Sequence, residues 1–215
     1  RDGCVYDANR YSLISMLGQL GCEVTDIGIM KDDPDEIRSS LREASRDHDL
    51  LITSGGVSKG EEDHIKDVVE GLGGLNFWNL AIKPGRPIAL GYVEKGTKQV
   101  PFIGLPGNPV AVMVTFLRIA RPLILLLSGG RDLDPQLYKV KSGFDFKKKV
   151  GRREWLRASL QQDSNGEVFA LKYPANGSGI ISSMVASDGL IELPEECDSV
   201  KEGELIDFLS FNEVM

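Results

Sequence analysis

The sequence predicts an α/β fold, a doubly wound and mostly parallel sheet over residues 1–130, followed by a small all-β barrel over residues 136–215. Three observations predict it. Short apolar runs alternate with amphipathic helical stretches from Asp7 to Leu127, the pattern of βα units on a shared sheet. A glycine-rich turn, Gly55-Gly56, lies between one such run and the next helix. After the Gly- and Asp-rich stretch Ser128–Pro135 the periodicity changes to short runs separated by Gly, Asn and Asp, as in antiparallel β structure.

Leu13, Ile14, Leu17 and Leu20 recur at helical spacing, with Asp7 or Asn9 as the expected cap and Gly21 as the stop. Cys22, Val24, Ile27 and Ile29 read as a strand. Asp33-Pro34 opens a second helix, a capping residue followed by proline at its first position. Leu50-Leu51-Ile52-Thr53 is too short for a helix and reads as a buried strand. Gly55 and Gly56 then allow positive φ, and Glu61, Glu62 and Asp63 supply acids to the first turn of the next helix. Past Gly73-Gly74, the run Phe77–Ile82 reads as a strand leading into Lys83-Pro84-Gly85-Arg86-Pro87. Ile88–Val93 and Val100–Leu105 form a strand pair around Glu94–Thr97, and Asn108-Pro109 caps a long apolar helix. In the barrel, strands are expected at Leu137–Val140, Arg153–Leu160, Val168–Leu171, Leu190–Leu193 and Leu205–Leu209, with a hairpin turn at Asp163–Gly166.

Composition narrows the function. A formal charge of −7 argues against a nucleic-acid surface, which needs a basic stripe. No stretch of about 18 apolar residues is free of charge or proline, so no membrane span is expected; Val110–Leu127 comes closest but contains Arg118, Arg121 and Pro122. Three cysteines, Cys4, Cys22 and Cys197, share no metal-type spacing and fit the reducing cytoplasm better than a disulfide framework.

A strand, a glycine turn and a helix start at Asp49–Asp63 place backbone N–H groups where an oxyanion can sit. A tight βα turn without a ligand explains that stretch equally well. Its spacing is neither the dinucleotide fingerprint nor Walker A, since Lys59 precedes Gly60. Lys83 and Arg86 sit among prolines in a stiff loop and suit a tetrahedral anion, one as a point charge and one as a planar fork; two solvated surface cations are the plain alternative. Asp32, Asp33 and Asp63, near strand ends, are oxygen donors of the kind that hold Mg²⁺; helix capping is the plain alternative for Asp33 and Asp63, and the preferred reading of Asp33.

Thr53–Asp63, TSGGVSKGEED, resembles the TSGGVSxGxxD segment of the molybdopterin molybdenumtransferases, the MoeA and gephyrin E-domain family. Lys83–Pro87 resembles that family's KPGKP motif, and Gly104–Val110 its GLPGNPV. In the barrel, Gly151–Arg157 resembles a GRxEFxR strand, and Asn176–Met184 loosely resembles a QxSSxxxSM loop. The resemblance spans Asp2 to about Leu209 and implies the C-terminal portion of a longer protein, with two further domains and a first strand of this domain upstream.

The resemblance implies insertion of molybdate into adenylylated molybdopterin with release of AMP, assisted by Mg²⁺. It assigns catalytic roles to Asp63, Asp32, Lys83 and Arg86, with Asp63 and Asp32 on the metal. Substrate binding falls to Gly55, Gly56, Ser58, Pro106, Asn108, Pro109, Arg153 and Ser178. It also implies a homodimer and a molybdopterin adenylyltransferase as working partner. Two alternatives stand beside it, a molybdopterin adenylyltransferase of the same fold and a gephyrin-like scaffold that binds a partner peptide.

Overall fold

The computed structural model describes residues 6–57, 64–175 and 177–215, without the side chains of Phe77 and Trp78. The chain divides into two compact units, Arg1–Leu80 with Gly85–Arg131, and Ala81–Pro84 with Asp132–Met215.

The first unit contains helices α1 (Asn9–Gln19), α2 (Pro34–Ala44), α3 (His64–Leu72) and α4 (Pro109–Thr115), with strands β1 (Leu51–Ser54), β2 (Gly73–Asn79), β4 (Pro87–Lys95) and β5 (Lys98–Leu105). The two-residue strand β3 (Ile82–Lys83) belongs to the second unit. Asp33 caps α2 as its sequence requires, accepting from Asp35 N at 3.0 Å and Glu36 N at 2.9 Å. Asp7 rather than Asn9 serves the start of α1, accepting from Arg10 N at 3.2 Å.

The sheet runs β1-β5-β4-β2, and its strand β5 is buried on both faces. On one face Leu51, Ala89, Val93, Val100 and Phe102 pack with Ile37 and Leu41 of α2 and Val68, Val69 and Leu72 of α3. Ile103 and Leu105 alternate with Phe102 along β5 and are buried on the other face. Within this sheet only the β1–β5 pairing is parallel among the described residues; β4 pairs antiparallel with β5 and with β2. That corrects the expectation of a mostly parallel sheet within the α/β unit. Glu94–Thr97 is too short for a crossover, so β4 and β5 form a hairpin, and a hairpin is antiparallel.

Two further expectations change. Gly73 and Gly74 do not precede the strand but open it, because Tyr92 lies against them. A Cβ on Gly73 would sit 2.3 Å from the Tyr92 carbonyl oxygen, and one on Gly74 2.9 Å from its ring. The strand expected over Cys22–Ile29 is not formed. A strand exists through its pairing, and these residues line an open trough of about 1370 Å³ together with Ile52 and Thr53 of β1, the edge strand. Apolar alternation is present there without a ladder partner.

Pro109–Leu127 is one continuous apolar helical run, α4 followed by a π segment at Phe116–Ala120 and by α5 (Arg121–Leu127). Pro122 has no N–H to give the preceding turn, and the wider π geometry just before it absorbs the gap. By length and composition this run would suffice to cross a membrane. Its Val110, Val114, Phe116 and Leu117 are instead buried in this unit's core.

The second unit is a closed barrel of β6 (Tyr138–Ser142), β8 (Arg153–Gln162), β9 (Val168–Lys172), β10 (Gly189–Leu193) and β12 (Leu205–Ser210). The ring closes through the β10–β8 pairing, and β3 adds parallel to β8. Strands β7 (Phe146–Lys147) and β11 (Ser199–Val200) form a separate pair, and α6 (Ser182–Val185) is a single turn. Leu156, Ala158, Ala170, Ile191, Leu193, Ile206 and Phe208 fill the interior. Asp163 folds the β8–β9 hairpin turn by accepting from Asn165 N at 2.8 Å and Glu167 N at 2.9 Å.

Candidate functional site

In the first unit three glycine-containing loops meet at the carboxyl end of the parallel pair β1–β5. Thr53 and Ser54 lie opposite Gly104 and Leu105, so both strands end together. Gly55 (φ 81°) and Gly56 (φ 67°) turn the chain there, and Gly55 N donates to the Leu105 carbonyl at 3.0 Å. A Cβ on Gly107 would meet the Gly55 Cα at 3.7 Å, so the two loops touch backbone to backbone. Asn9 braces the second loop, donating from Nδ2 to the Gly107 carbonyl at 2.8 Å.

The third loop is fixed by Gly85 (φ 99°). A Cβ there would lie 2.3 Å from Thr115 Cγ2, 3.5 Å from the Ala111 carbonyl and 3.6 Å from Pro106. Leu80 N donates to the Arg86 carbonyl at 3.0 Å, which anchors the backbone and leaves the guanidinium exposed. Gly85→Ala is expected to cost about 2–4 kcal/mol, combining left-handed strain with overpacking, and chemical denaturation checks it. A loss below about 1 kcal/mol would show that α4 can shift away from this loop.

The structure thus brings Gly55, Gly56, Pro106 and Gly85-Arg86 into one neighbourhood, with Asn108 exposed at the start of α4 and Pro109 at its first position. Asn108 makes no capping bond with its side chain. Asp32 is exposed and lines the same trough as Gly55 and Gly56. Ser58 and Asp63 lie outside the described residues. Among the described residues no cluster of three or more His, Cys, Asp or Glu side chains is placed to hold a metal. Asp32 offers a hard carboxylate, a donor that suits Mg²⁺ when water and phosphate oxygens complete the shell.

Lys83 belongs to the second unit, where Glu154, 1% exposed, organises the cations. Glu154 accepts from Lys83 Nζ at 3.3 Å and from Arg152 Nε at 2.7 Å. Arg153, expected to offer donors to an anion, is held by acids of its own unit. Its Nη1 reaches Glu192 at 2.8 Å and its Nη2 reaches Glu195 at 3.0 Å, while Trp155 Nε1 shares Glu192. Burial works against the Arg153 charge, yet Glu195 and Glu192 outweigh it and raise its pKa; in return the Arg153 hydrogen bond lowers that of Glu195.

The residue that sequence reasoning missed is Arg157. It is buried, and its partners are neutral: the Gly177 carbonyl at 2.9 Å, the Ala175 carbonyl at 2.8 Å and Ser183 Oγ at 2.6 Å. Burial pushes its pKa down. Arg157 therefore shapes the loop that carries half-buried Ser178. Its place at the end of the GRREWLR motif was visible in the sequence; its partners were not.

Residues 2–125 match the family model of a probable molybdopterin binding domain, and residues 139–211 match the MoeA C-terminal region (domain IV). The chain is 37% identical over 216 residues to a molybdopterin molybdenumtransferase of Haemophilus influenzae, covering all of this chain and 52% of that protein. It is 29% identical over 194 residues to a protein of the same name from Nostoc, covering 89% of this chain and 44% of that one. A solved structure of a molybdopterin biosynthesis MoeA protein from Pyrococcus horikosii superposes with a TM-score of 0.80 at 28% identity, over 98% of this chain and 49% of that one. The chain spans about half the length of the curated relatives it matches.

Proposed function

The chain belongs to the molybdopterin-binding domain family and carries a MoeA C-terminal region, and from that premise we propose that it forms the cofactor-handling half of a molybdopterin molybdenumtransferase. The reaction is insertion of molybdate into adenylylated molybdopterin with release of AMP. The observation that carries this reading is the meeting of the Gly55, Gly107 and Gly85 loops at one end of the sheet.

Each part has a physical task. Positive-φ glycines let the backbone approach an anion closely, as a side chain there would not. Arg86, exposed on an anchored loop, supplies a charged fork for the molybdate oxygens. Pro106 and Pro109 stiffen the loop into α4, and Asn108 offers an amide to the substrate at its rim. In the barrel, Lys83 contributes charge and Ser178 a hydroxyl held in place through Arg157. Asp32 and Asp63 would hold Mg²⁺, which offsets phosphate charge as the anhydride link to AMP is cleaved. Catalysis on this reading is positioning and charge stabilisation, with no side-chain nucleophile.

Supply of adenylylated substrate by a molybdopterin adenylyltransferase, a homodimeric whole protein and a cytoplasmic setting complete the proposal. The barrel match at residues 139–211 favours the insertase over an adenylyltransferase of the same fold. The test is direct. The protein is incubated with adenylylated molybdopterin, molybdate and Mg²⁺, and AMP release is followed; AMP release independent of molybdate would sink the reading. Within that assay, Asp63→Asn is expected to raise the Mg²⁺ requirement while the melting temperature stays near wild type. Normal turnover at low Mg²⁺ with a large fall in melting temperature would make Asp63 a helix cap only.

A further inference from the structure

Asn9 is the first residue of α1, yet the helix start is served by Asp7, which accepts from Arg10 N at 3.2 Å. Asn9 is only 8% exposed, and a buried carboxamide costs free energy unless its groups are paired. Its Nδ2 donates at 2.8 Å to the Gly107 carbonyl, 98 residues away in the chain. Its Oδ1 is buried and meets no donor among the described residues. The amide cannot turn round to relieve this, because the Gly107 carbonyl only accepts and needs the NH₂ end. Holding Gly107 is thus the bond this buried amide makes at the expense of its other end.

That bond fixes a peptide plane. The Gly107–Asn108 peptide is trans, since the cis peptide among the described residues is Lys83-Pro84. In a trans peptide the C=O and N–H point in opposite directions. With the Gly107 carbonyl held by a buried amide, the Asn108 N–H is directed away from Asn9, at two residues that are exposed. No acceptor among the described residues takes that N–H. Glycine at 107 makes the lock necessary, because a residue without Cβ lets this peptide rotate at little cost. The rotated peptide would present a carbonyl oxygen, which repels an anion. The Gly55 turn lies against the Gly107 backbone, so the locked peptide belongs to the junction of the glycine loops.

We propose that Asn9 is a positioning residue of the anion site, locking the Gly107–Asn108 peptide so that the Asn108 N–H faces a tetrahedral oxyanion. The inference rests on the insertase reading for the identity of that oxyanion, which is either molybdate or a phosphate group of the substrate. Asn9 acts through the loop and lies in none of the motifs that carry the family resemblance.

Proton–nitrogen NMR titration of the 215-residue protein with molybdate and, separately, with inorganic phosphate tests it. The Asn108 amide is expected among the backbone signals that move most. Asn9→Ala removes the lock without adding charge, and should weaken the bound anion about three- to tenfold and abolish the Asn108 response. Asn9→Asp has the same shape but sets a carboxylate against the Gly107 carbonyl, and should weaken it at least as much. Val69→Ala, in the core of the same unit, lowers stability without touching the loop and should leave affinity and the Asn108 response as in wild type. A larger wild-type response to molybdate assigns the N–H to the metal oxyanion; a larger response to phosphate assigns it to the substrate's phosphate. A wild-type Asn108 amide that ignores both anions overturns the proposal. So does a response unchanged in both Asn9 variants, or a loss that Val69→Ala reproduces. Molybdate-dependent AMP release judges the insertase reading separately, so the two failures are told apart.

Discussion

Glu154→Gln is expected to destabilise the barrel by about 3 kcal/mol, near the lower end of the cost of breaking a buried ion pair. Glu154 is 1% exposed and accepts from both Lys83 and Arg152. Glutamine keeps an acceptor for Arg152 but turns an N–H₂ towards the Lys83 ammonium, donor against donor. The loss stays at the lower end because the Lys83 and Arg152 side chains are 41% and 33% exposed and can turn to water. Urea denaturation followed by Trp155 fluorescence checks the magnitude. Adding Lys83→Met should restore part of the stability, since it removes the mismatched donor. A double variant no more stable than Glu154→Gln would mean that Arg152 alone depends on this carboxylate.

Arg86→Ala is expected to raise the molybdate concentration for half-maximal cofactor formation roughly ten- to a hundredfold, from a charge-assisted contact worth about 1.5–3 kcal/mol. The structure makes this a clean experiment. The Arg86 side chain is exposed, and its backbone is held independently by Leu80 N, so truncation should leave the unfolding free energy within about 0.5 kcal/mol of wild type. Arg86→Lys should recover much of the effect because the point charge returns on the same anchored loop. Binding of the adenylylated pterin should change less than the molybdate requirement. An unaltered requirement in Arg86→Ala would move the oxyanion site away from this loop.

The two substitutions separate roles that the sequence left fused. Lys83 and Arg86 stand three residues apart in one motif, and both were expected to serve one anion. In the structure Lys83 is a strand residue of the barrel, paired with Glu154, whereas Arg86 belongs to the α/β unit beyond the turn at Gly85. Variants of Lys83 will mix barrel stability with anion binding; variants of Arg86 will not.

Local chemistry settled much of this protein before any tertiary contact was known. Asp33-Pro34 dictated a helix start, and Asp163–Gly166 a hairpin turn. Gly55-Gly56 dictated a sharp turn after a short apolar run, and the positive φ of both is observed. These features depend on φ preferences and hydrogen bonds within a few residues, so sequence suffices to read them. The motif loops carried the family resemblance for the same reason, since close backbone approach permits few residue types.

Tertiary structure decided whatever depends on a distant partner. Cys22–Ile29 has the alternation of a strand but no ladder, because strand formation needs a neighbour that spacing cannot supply. Gly73 and Gly74 resemble a break and instead admit Tyr92 from the next strand. Arg153 and Arg157 are equivalent in the sequence, two residues of one alternating face, yet Glu192 and Glu195 engage the first while bare carbonyls at 175 and 177 receive the second. Charge pairing across a barrel is set by register, and register is a property of the closed sheet, which is why the partners of Arg157 emerge only from the fold.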